Sequence, residues 1–303
     1  MGLKKKTIIF CVILAMAVTV CFSFVNFPKK EEETVSTETI EYIKDVFLED
    51  TYIQITDDYV DDTALSELYS GENALERVKD FNRVLNEEFN YYELSFQPLQ
   101  QYYFFDLSDD FVMIYNSKGG KIHNQKVNID GEETYVTSLN TIKVDEKFFD
   151  EYLNHLDSGE KFSQEDFQFY SIAEEIPVIL GSHYADYFKI GERLYLNYLD
   201  NNLTFYVKGF FEEGLQFKYN KENIQIDNYI CMPNFEINIP VKDRDDFLLQ
   251  MRHYLQKNSG FIKYEKESDL KVIEKSLEQL SNKYLLEYVL IYSPVQIKCE
   301  KEN

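Results

Sequence analysis

The residues able to do chemistry in this 303-residue chain are few and scattered. The four histidines, His123, His155, His183 and His253, have no cysteine or second histidine at ligand spacing, so no zinc site is written locally. They read as surface or loop residues. Ser182 and His183 are adjacent, and neighbouring side chains cannot face one another for proton transfer, so they do not make a nucleophile and its base. Two acid clusters, Asp57, Asp58, Asp61 and Asp62 and then Asp106, Asp109 and Asp110, carry the oxygen ligands that calcium takes outside the cell. Neither has the EF-hand spacing with its glycine, so both read as solvated turns. A carboxylate pair for glycoside hydrolysis is defined by separation in space, and nothing in the sequence promotes one. The chain has no phosphate-cradling glycine-rich loop, no nucleophile elbow and no His-Glu-x-x-His pair. The expectation is a chain without catalysis, cofactor or metal of its own.

Cys11 and Cys21 fall inside a hydrophobic stretch, which leaves Cys231 and Cys299 outside it and rules out a disulfide framework. A single bridge between the outer pair is the alternative to a buried thiol at Cys231, which sits in an apolar run beside Met232.

That hydrophobic stretch, residues 7–27, matches the roughly 30 Å apolar core of a bilayer when wound as a helix. Lys4, Lys5 and Lys6 precede it, and positive flanks stay in the cytoplasm, so the rest of the chain is expected outside. Lys29 and Lys30 blunt the bias, but Glu31, Glu32 and Glu33 follow at once. Two competing readings are a cleaved signal peptide with Ala15-Met16-Ala17 as the cleavage site and a lipoprotein signal ending at Cys21. Cleavage after Ala17 would leave an apolar new N-terminus, and Val20 suits lipidation poorly, so an uncleaved single-pass anchor in the cell membrane is preferred.

The chain carries 54 acidic against 31 basic residues, a net charge of −23, and five of the lysines lie in its first 30 residues. What remains is more acidic still and repels nucleic acid and anionic headgroups. Phe and Tyr number 24 each and Trp is absent; most of these rings are expected in the core or on strand faces.

The elements follow from periodicity. Ile40, Ile43 and Phe47 suggest a stalk helix, and residues 51–56 a strand. Asn73-Ala74-Leu75-Glu76 looks like a capping box opening a helix with Leu75, Val78, Phe81 and Leu85 on one face, followed by a strand at 91–97. Asp130-Gly131 between alternating runs marks a two-residue hairpin. Further strands are expected at 177–180, 193–198, 204–209 and 228–232. Asp243 caps a helix with Phe247, Leu248, Met251 and Leu255 inward; a strand follows at 260–264. Ser268 caps a helix with Leu270, Ile273, Leu277 and Leu280 inward, and residues 284–292 form a last strand. The expected fold class is α+β: one N-terminal transmembrane helix followed by a two-lobed extracytoplasmic domain, an α/β lobe interrupted by a β-rich inserted lobe. The boundaries are 1–30 for the anchor, 31–50 for linker and stalk, 51–110 with 234–297 for the α/β lobe, 111–233 for the inserted lobe and 298–303 for the tail.

One block is more than generic: LNTIKVDEKFF at 139–149, SGEKFSQEDF at 158–167, IPVILGSHYADYFKIGERL at 176–194, FYVKGFFEEG at 205–214 and IDNYICMP at 226–233. Gly159 allows a turn before Phe162, Pro177 opens a buried strand, Gly181 starts a helix holding Tyr184 and Phe188, Gly191 turns the chain into the next strand, and Gly209 lies in a strand of F-x-V-x-G type. With Asp227 and Pro233, these are fold markers. In order and spacing the block resembles the MacB-like extracytoplasmic core domain of ABC transporter permeases of the macrolide exporter and lipoprotein release type, the FtsX-like permeases. The resemblance implies a two-lobed domain without catalysis. Its implied partners are a cytoplasmic ABC ATPase, a multi-helix permease subunit and a second copy in a dimer. After Tyr292 the sequence carries none of the three later helices of that family. The expected function is therefore a membrane-anchored component of an ABC transporter permease. It would transmit ATPase-driven motion to an exported cargo or engage that cargo. The alternative is a stand-alone tethered binding or sensing module.

Overall fold

The computed structural model describes residues 51–59, 62–102, 107–114, 120–129, 131–219, 222–296 and 298–301. The expected anchor at 7–27, the stalk helix, Asp61 and Asp106 lie outside these residues. No helix among the described residues is long and apolar enough to cross a membrane. By its contacts the chain divides into two units. In one of them Ile114 and Lys121 form an isolated antiparallel bridge. The account below concerns the other, Asp50–Met113 with Ile122–Asn303.

Along this unit the chain forms β1 (Thr51–Asp57), α1 (Asp62–Ser70), α2 (Ala74–Glu88), β2 (Tyr91–Tyr92), β3 (Leu94–Phe96) and β4 (Leu99–Tyr102). The middle is β-rich: β5 (Gln125–Ile129), β6 (Glu132–Leu139), β7 (Thr141–Val144), β8 (Leu156–Gly159), β9 (Gln168–Phe169), β10 (Glu175–Leu180), β11 (Arg193–Tyr198), β12 (Asn201–Phe211), β13 (Leu215–Tyr219), β14 (Glu222–Gln225) and β15 (Ile230–Pro233). The chain closes with β16 (Glu236–Ile237), α3 (Arg244–Lys257), β17 (Phe261–Tyr264), α4 (Glu267–Tyr284), β18 (Tyr288–Gln296) and β19 (Lys298–Lys301). This is a mixed α+β fold.

Two sheets dominate it. The smaller, β18-β1-β17-β2, is antiparallel, with Thr51 opposite Gln296 and Tyr52 opposite Lys263. The larger is mixed, in the order β3-β7-β15-β10-β12-β11-β4-β6-β5 with β8 also on β12. Its parallel pairs are β10 with β12 and β15 with β7. Strands β13, β14 and β19 form a third, three-stranded sheet.

The apolar runs have a physical reason. In β10, Val178 and Leu180 join one core while Ile179 joins a second; in β15, Ile230 and Met232 go one way and Cys231 the other. β1 divides likewise, with Ile53 and Ile55 in the first core and Tyr52 in the second. Strands covered on both faces cannot alternate with polar residues, which is why PVIL and YICM are continuous. Each Leu, Ile or Phe so buried contributes about 1.5–3 kcal/mol relative to exposure. Helices α2, α3 and α4 supply Phe81, Leu85, Met251 and Leu277 to the first core.

Several local expectations need correction. Asn73 is left-handed at φ 49° and makes no side-chain cap; only its carbonyl accepts the Arg77 N–H, at 2.9 Å. Asn tolerates this conformation, and there its side chain does not reach the next turn. Helix α4 starts at Glu267, before the expected cap Ser268: Asp269 reaches back to the Lys266 N–H at 3.1 Å. It also runs on to Tyr284, so the last strand begins at Tyr288, not 284. Gly181 precedes a short 3₁₀ turn, Ser182–Asp186, which still turns Tyr184 and Phe188 inward. The expected strand at 91–97 is broken at Glu93: Tyr92 pairs with Phe261 in the small sheet and Leu94 with Val144 in the large one. Asp243 caps α3 as expected, accepting from the N–H groups of Asp245 and Asp246 at 2.9 and 3.0 Å.

Candidate functional site

Glu93 is the residue at which the chain crosses from one sheet to the other, and that crossing puts a carboxylate where strands would otherwise place an apolar side chain. It is 2% exposed. Asn82 and Asn86, one turn apart on α2, each donate an amide N–H to Glu93 Oε1 at 3.1 Å. Asn234, just after β15, donates to Oε2 at 3.1 Å, and the Lys257 ammonium donates to the same oxygen at 2.6 Å. Lys257 closes α3, where the helix dipole favours a cation. It also donates to the Asn234 carbonyl at 2.7 Å and pairs with Glu236 at 3.1 Å.

A second carboxylate lies against the first. Asp145 accepts from the Glu93 N–H at 2.9 Å and, as the cap of the helical turn Glu146–Phe148, from the Phe148 N–H at 2.6 Å. Burial and then the Glu93 charge push its carboxyl up to about 7, against the pull of those two N–H groups and of Lys257. Burial alone would lower Lys257, but Glu93 and Glu236 outweigh it and hold its ammonium above the ordinary lysine range. Burial works to raise Glu236 as well; Lys257 and the Tyr254 hydroxyl, which donates at 2.7 Å, prevail and lower it.

These groups line a cleft of about 630 Å³, with Lys79, Arg83 and Phe167 at its wall. Its volume is that of a small-molecule site, and its lining of opposed charges and amides suits a polar ligand.

A second buried polar chain involves His253 of α3. Lys143, wholly buried, donates to the Tyr198 hydroxyl at 2.8 Å, and that hydroxyl lies 2.8 Å from His253 Nδ1. His253 Nε2 lies 2.7 Å from the Phe235 carbonyl. A carbonyl only accepts, so Nε2 carries the proton and Nδ1 accepts from Tyr198. Burial, then the nearby Lys143 and Lys257 charges, hold His253 well below its ordinary pKa, so the ring is neutral. His253 is thus a fully buried core residue and not the surface residue expected, because α3 turns this position towards Tyr198 and Phe235. His155 and His183 are exposed, the latter 2.9 Å from Asn228 Oδ1, and His123 meets Asp109 at 2.5 Å.

The fold markers singled out in the sequence are spread over the fold. Gly159 and Gly209 face each other across β8 and β12; a Cβ on Gly159 would lie 2.3 Å from the Lys208 carbonyl oxygen. Phe162 packs nearby, its ring 4.8 Å from Phe149. Gly181 lies over the 226–227 backbone, and a Cβ there would meet the Ile226 and Asp227 carbonyl oxygens at 2.1 and 2.2 Å. Asp227 ties this contact down, accepting from the Ser182 hydroxyl at 2.6 Å and the Gly214 N–H at 3.0 Å. Pro177 sits where β10 has β12 as its partner; β15 joins from Ile179 onward, so the missing N–H costs no ladder bond. Gly191, at φ 84°, stands apart with open space around its Cα. Pro233 alone reaches the cleft region, by delivering Asn234. Cys231 is a free buried thiol, and burial raises its pKa.

Sequence reasoning missed Glu93, Lys257, Asn82, Asn86, Asn234 and Asp145. A signal was available: Asn82 shares the apolar face of α2 with Val78, Phe81 and Leu85, and Glu93 interrupts the aromatic run YYELSF.

Neither a protein-family model nor a curated protein sequence matches the chain. Among solved structures it is similar to the extracellular domain of the noncanonical ABC-type transporter YknZ from Gram-positive bacteria, at 9% identity over 79% of this chain and 99% of that one, with a TM-score of 0.40. It is similar also to the periplasmic region of MacB from Actinobacillus actinomycetemcomitans, at 12% identity over 79% of this chain and 87% of that one, with a TM-score of 0.34.

Proposed function

We propose that the chain is a membrane-anchored component of an ABC transporter permease whose extracytoplasmic domain relays motion between membrane segments and an exported cargo. The observation that carries this reading is the pairing of β1 with β18, which sets Thr51 opposite Gln296. The strand that follows the apolar stretch is therefore held edge to edge by β18, which runs on into β19 on β13. A displacement of the segment before β1 then acts directly on that strand pair and, through β18 and β19, on the three-stranded sheet. The order of the markers from Gly159 to Pro233 supports the same reading. In it, 51–110 with 234–297 form the membrane-proximal α/β lobe and 111–233 the β-rich lobe.

The test is purification of the chain from its native membrane in mild detergent, with mass spectrometry of what accompanies it, joined to a topology assay. Val272, 65% exposed, is replaced by cysteine and labelled in intact cells with a membrane-impermeant maleimide. Labelling with recovery of an ABC ATPase and a multi-helix subunit is expected; an unlabelled cysteine, or recovery of the chain alone, overturns the reading. The second reading, a tethered binding or sensing module, is favoured by the cleft around Glu93 and would be left standing by labelling without an ATPase.

A further inference from the structure

We infer that the Glu93 cleft is a binding site for a protonated amine, an ammonium-bearing ligand such as a polyamine or a lysyl side chain, held by Asn234, Asp145 and Glu146. The inference goes beyond the transport reading and does not rest on it. Six carboxylates line the cleft against three cations, and every cation is already engaged. Arg83 pairs with Asp80 and Glu87 at 3.1 and 3.0 Å, and Lys257 with Glu93 and Glu236. Lys79 donates to Gln250 Oε1 at 2.6 Å and to the Ile237 carbonyl. Among the described residues neither Asp145 nor Glu146 is in an ion pair, so the uncompensated charge of the cleft is negative.

The amides give the second, independent observation. Asn82, Asn86 and Asn234 all spend an N–H on Glu93, so each turns its carbonyl oxygen away from that carboxylate. Asn234 is 2% exposed and lines the cleft, yet its Oδ1 has no hydrogen-bond partner among the described residues. A buried acceptor left unpaired costs about 1–3 kcal/mol, and only a donor can satisfy it. An ammonium brings three donors and no acceptor. It satisfies the Asn234 oxygen, neutralises Glu146 and favours the ionised form of Asp145; an anion would meet carboxylates and carbonyl oxygens instead.

The full chain in mild detergent is titrated by calorimetry with spermidine, with an N-blocked lysine tripeptide and with the same tripeptide acetylated at its lysine. Binding of spermidine or of the unacetylated tripeptide with a Kd of about 1 mM or tighter is expected, the stronger of the two identifying the source of the amine. The acetylated peptide is expected not to bind. Glu146→Gln, isosteric and outside the Glu93 network, should leave the Tm unchanged and weaken binding about tenfold, the value of one charge-assisted hydrogen bond. Glu278→Gln, exposed on α4 and away from the cleft, should leave affinity unchanged. Absence of binding by both amines, binding of the acetylated peptide, or equal weakening by the two variants would overturn the inference; the last would mark general attraction to an acidic surface. None of these results bears on whether an ATPase accompanies the chain.

Discussion

The Lys257 ammonium lies 2.6 Å from Glu93 Oε2, with the two side chains 5% and 2% exposed, at the point where the chain passes from one sheet to the other. The pair joins α3 to the β2–β3 crossing, and the side chains of Asn82, Asn86, Asn234 and Glu236 complete its polar contacts. Removing one member leaves a buried charge uncompensated, which costs about 3–5 kcal/mol. Lys257→Met and Glu93→Leu should each lower the unfolding free energy measured by urea denaturation by that amount. Their combination should cost clearly less than the sum of the two, because it removes both charges together.

Asp145 gives a pH dependence of definite sign. Burial and the Glu93 charge push its carboxyl up to about 7 in the folded chain, against 3.8 for a free aspartate, so between those values the folded state holds a proton that the unfolded state has released. Stability from this group is fully present below about pH 4 and falls as pH rises towards 7. Asp145→Asn, which keeps one acceptor for the capped turn, should flatten that part of a Tm-against-pH curve. An unchanged slope would show that another group carries it.

His253 works in the opposite direction. Its pKa is held low in the folded state, so the unfolded chain takes up the proton first as pH falls through the ordinary histidine range, and stability drops with it. Nitrogen NMR of the ring should show the Nε2-protonated neutral tautomer unchanged from pH 8 to pH 5.

The marker glycines should separate by cause. Gly181→Ala drives a methyl group into two backbone carbonyl oxygens at 2.1 and 2.2 Å, and backbone cannot swing aside as a side chain can. A loss of about 3 kcal/mol or more is expected. Gly191→Ala meets no atom and bears only the strain of φ 84°, about 1 kcal/mol. Urea denaturation of the two variants distinguishes them.

Cys231, wholly buried with its thiol pKa raised, should resist maleimide in the folded chain and react once urea unfolds it. Rapid labelling without denaturant would show that the strand β15 opens locally.

The sequence by itself determined the elements whose pattern is local. The apolar face of α2, the Asp243 cap, the β5–β6 hairpin and the doubly buried runs of β10 and β15 are set by residues within a few positions of one another. Even Gly181 and Asp227 were legible as markers, although their contact was not. The tertiary structure alone decided the partners. Glu93 looks like an error in an aromatic strand until α2, β15 and α3 bring Asn82, Asn234 and Lys257 to it from 11, 141 and 164 residues away. His253 looks exposed until its helix turns it onto Phe235 and Tyr198. Burial of a polar group is tolerable only where partners converge in space, and sequence spacing carries no record of that convergence.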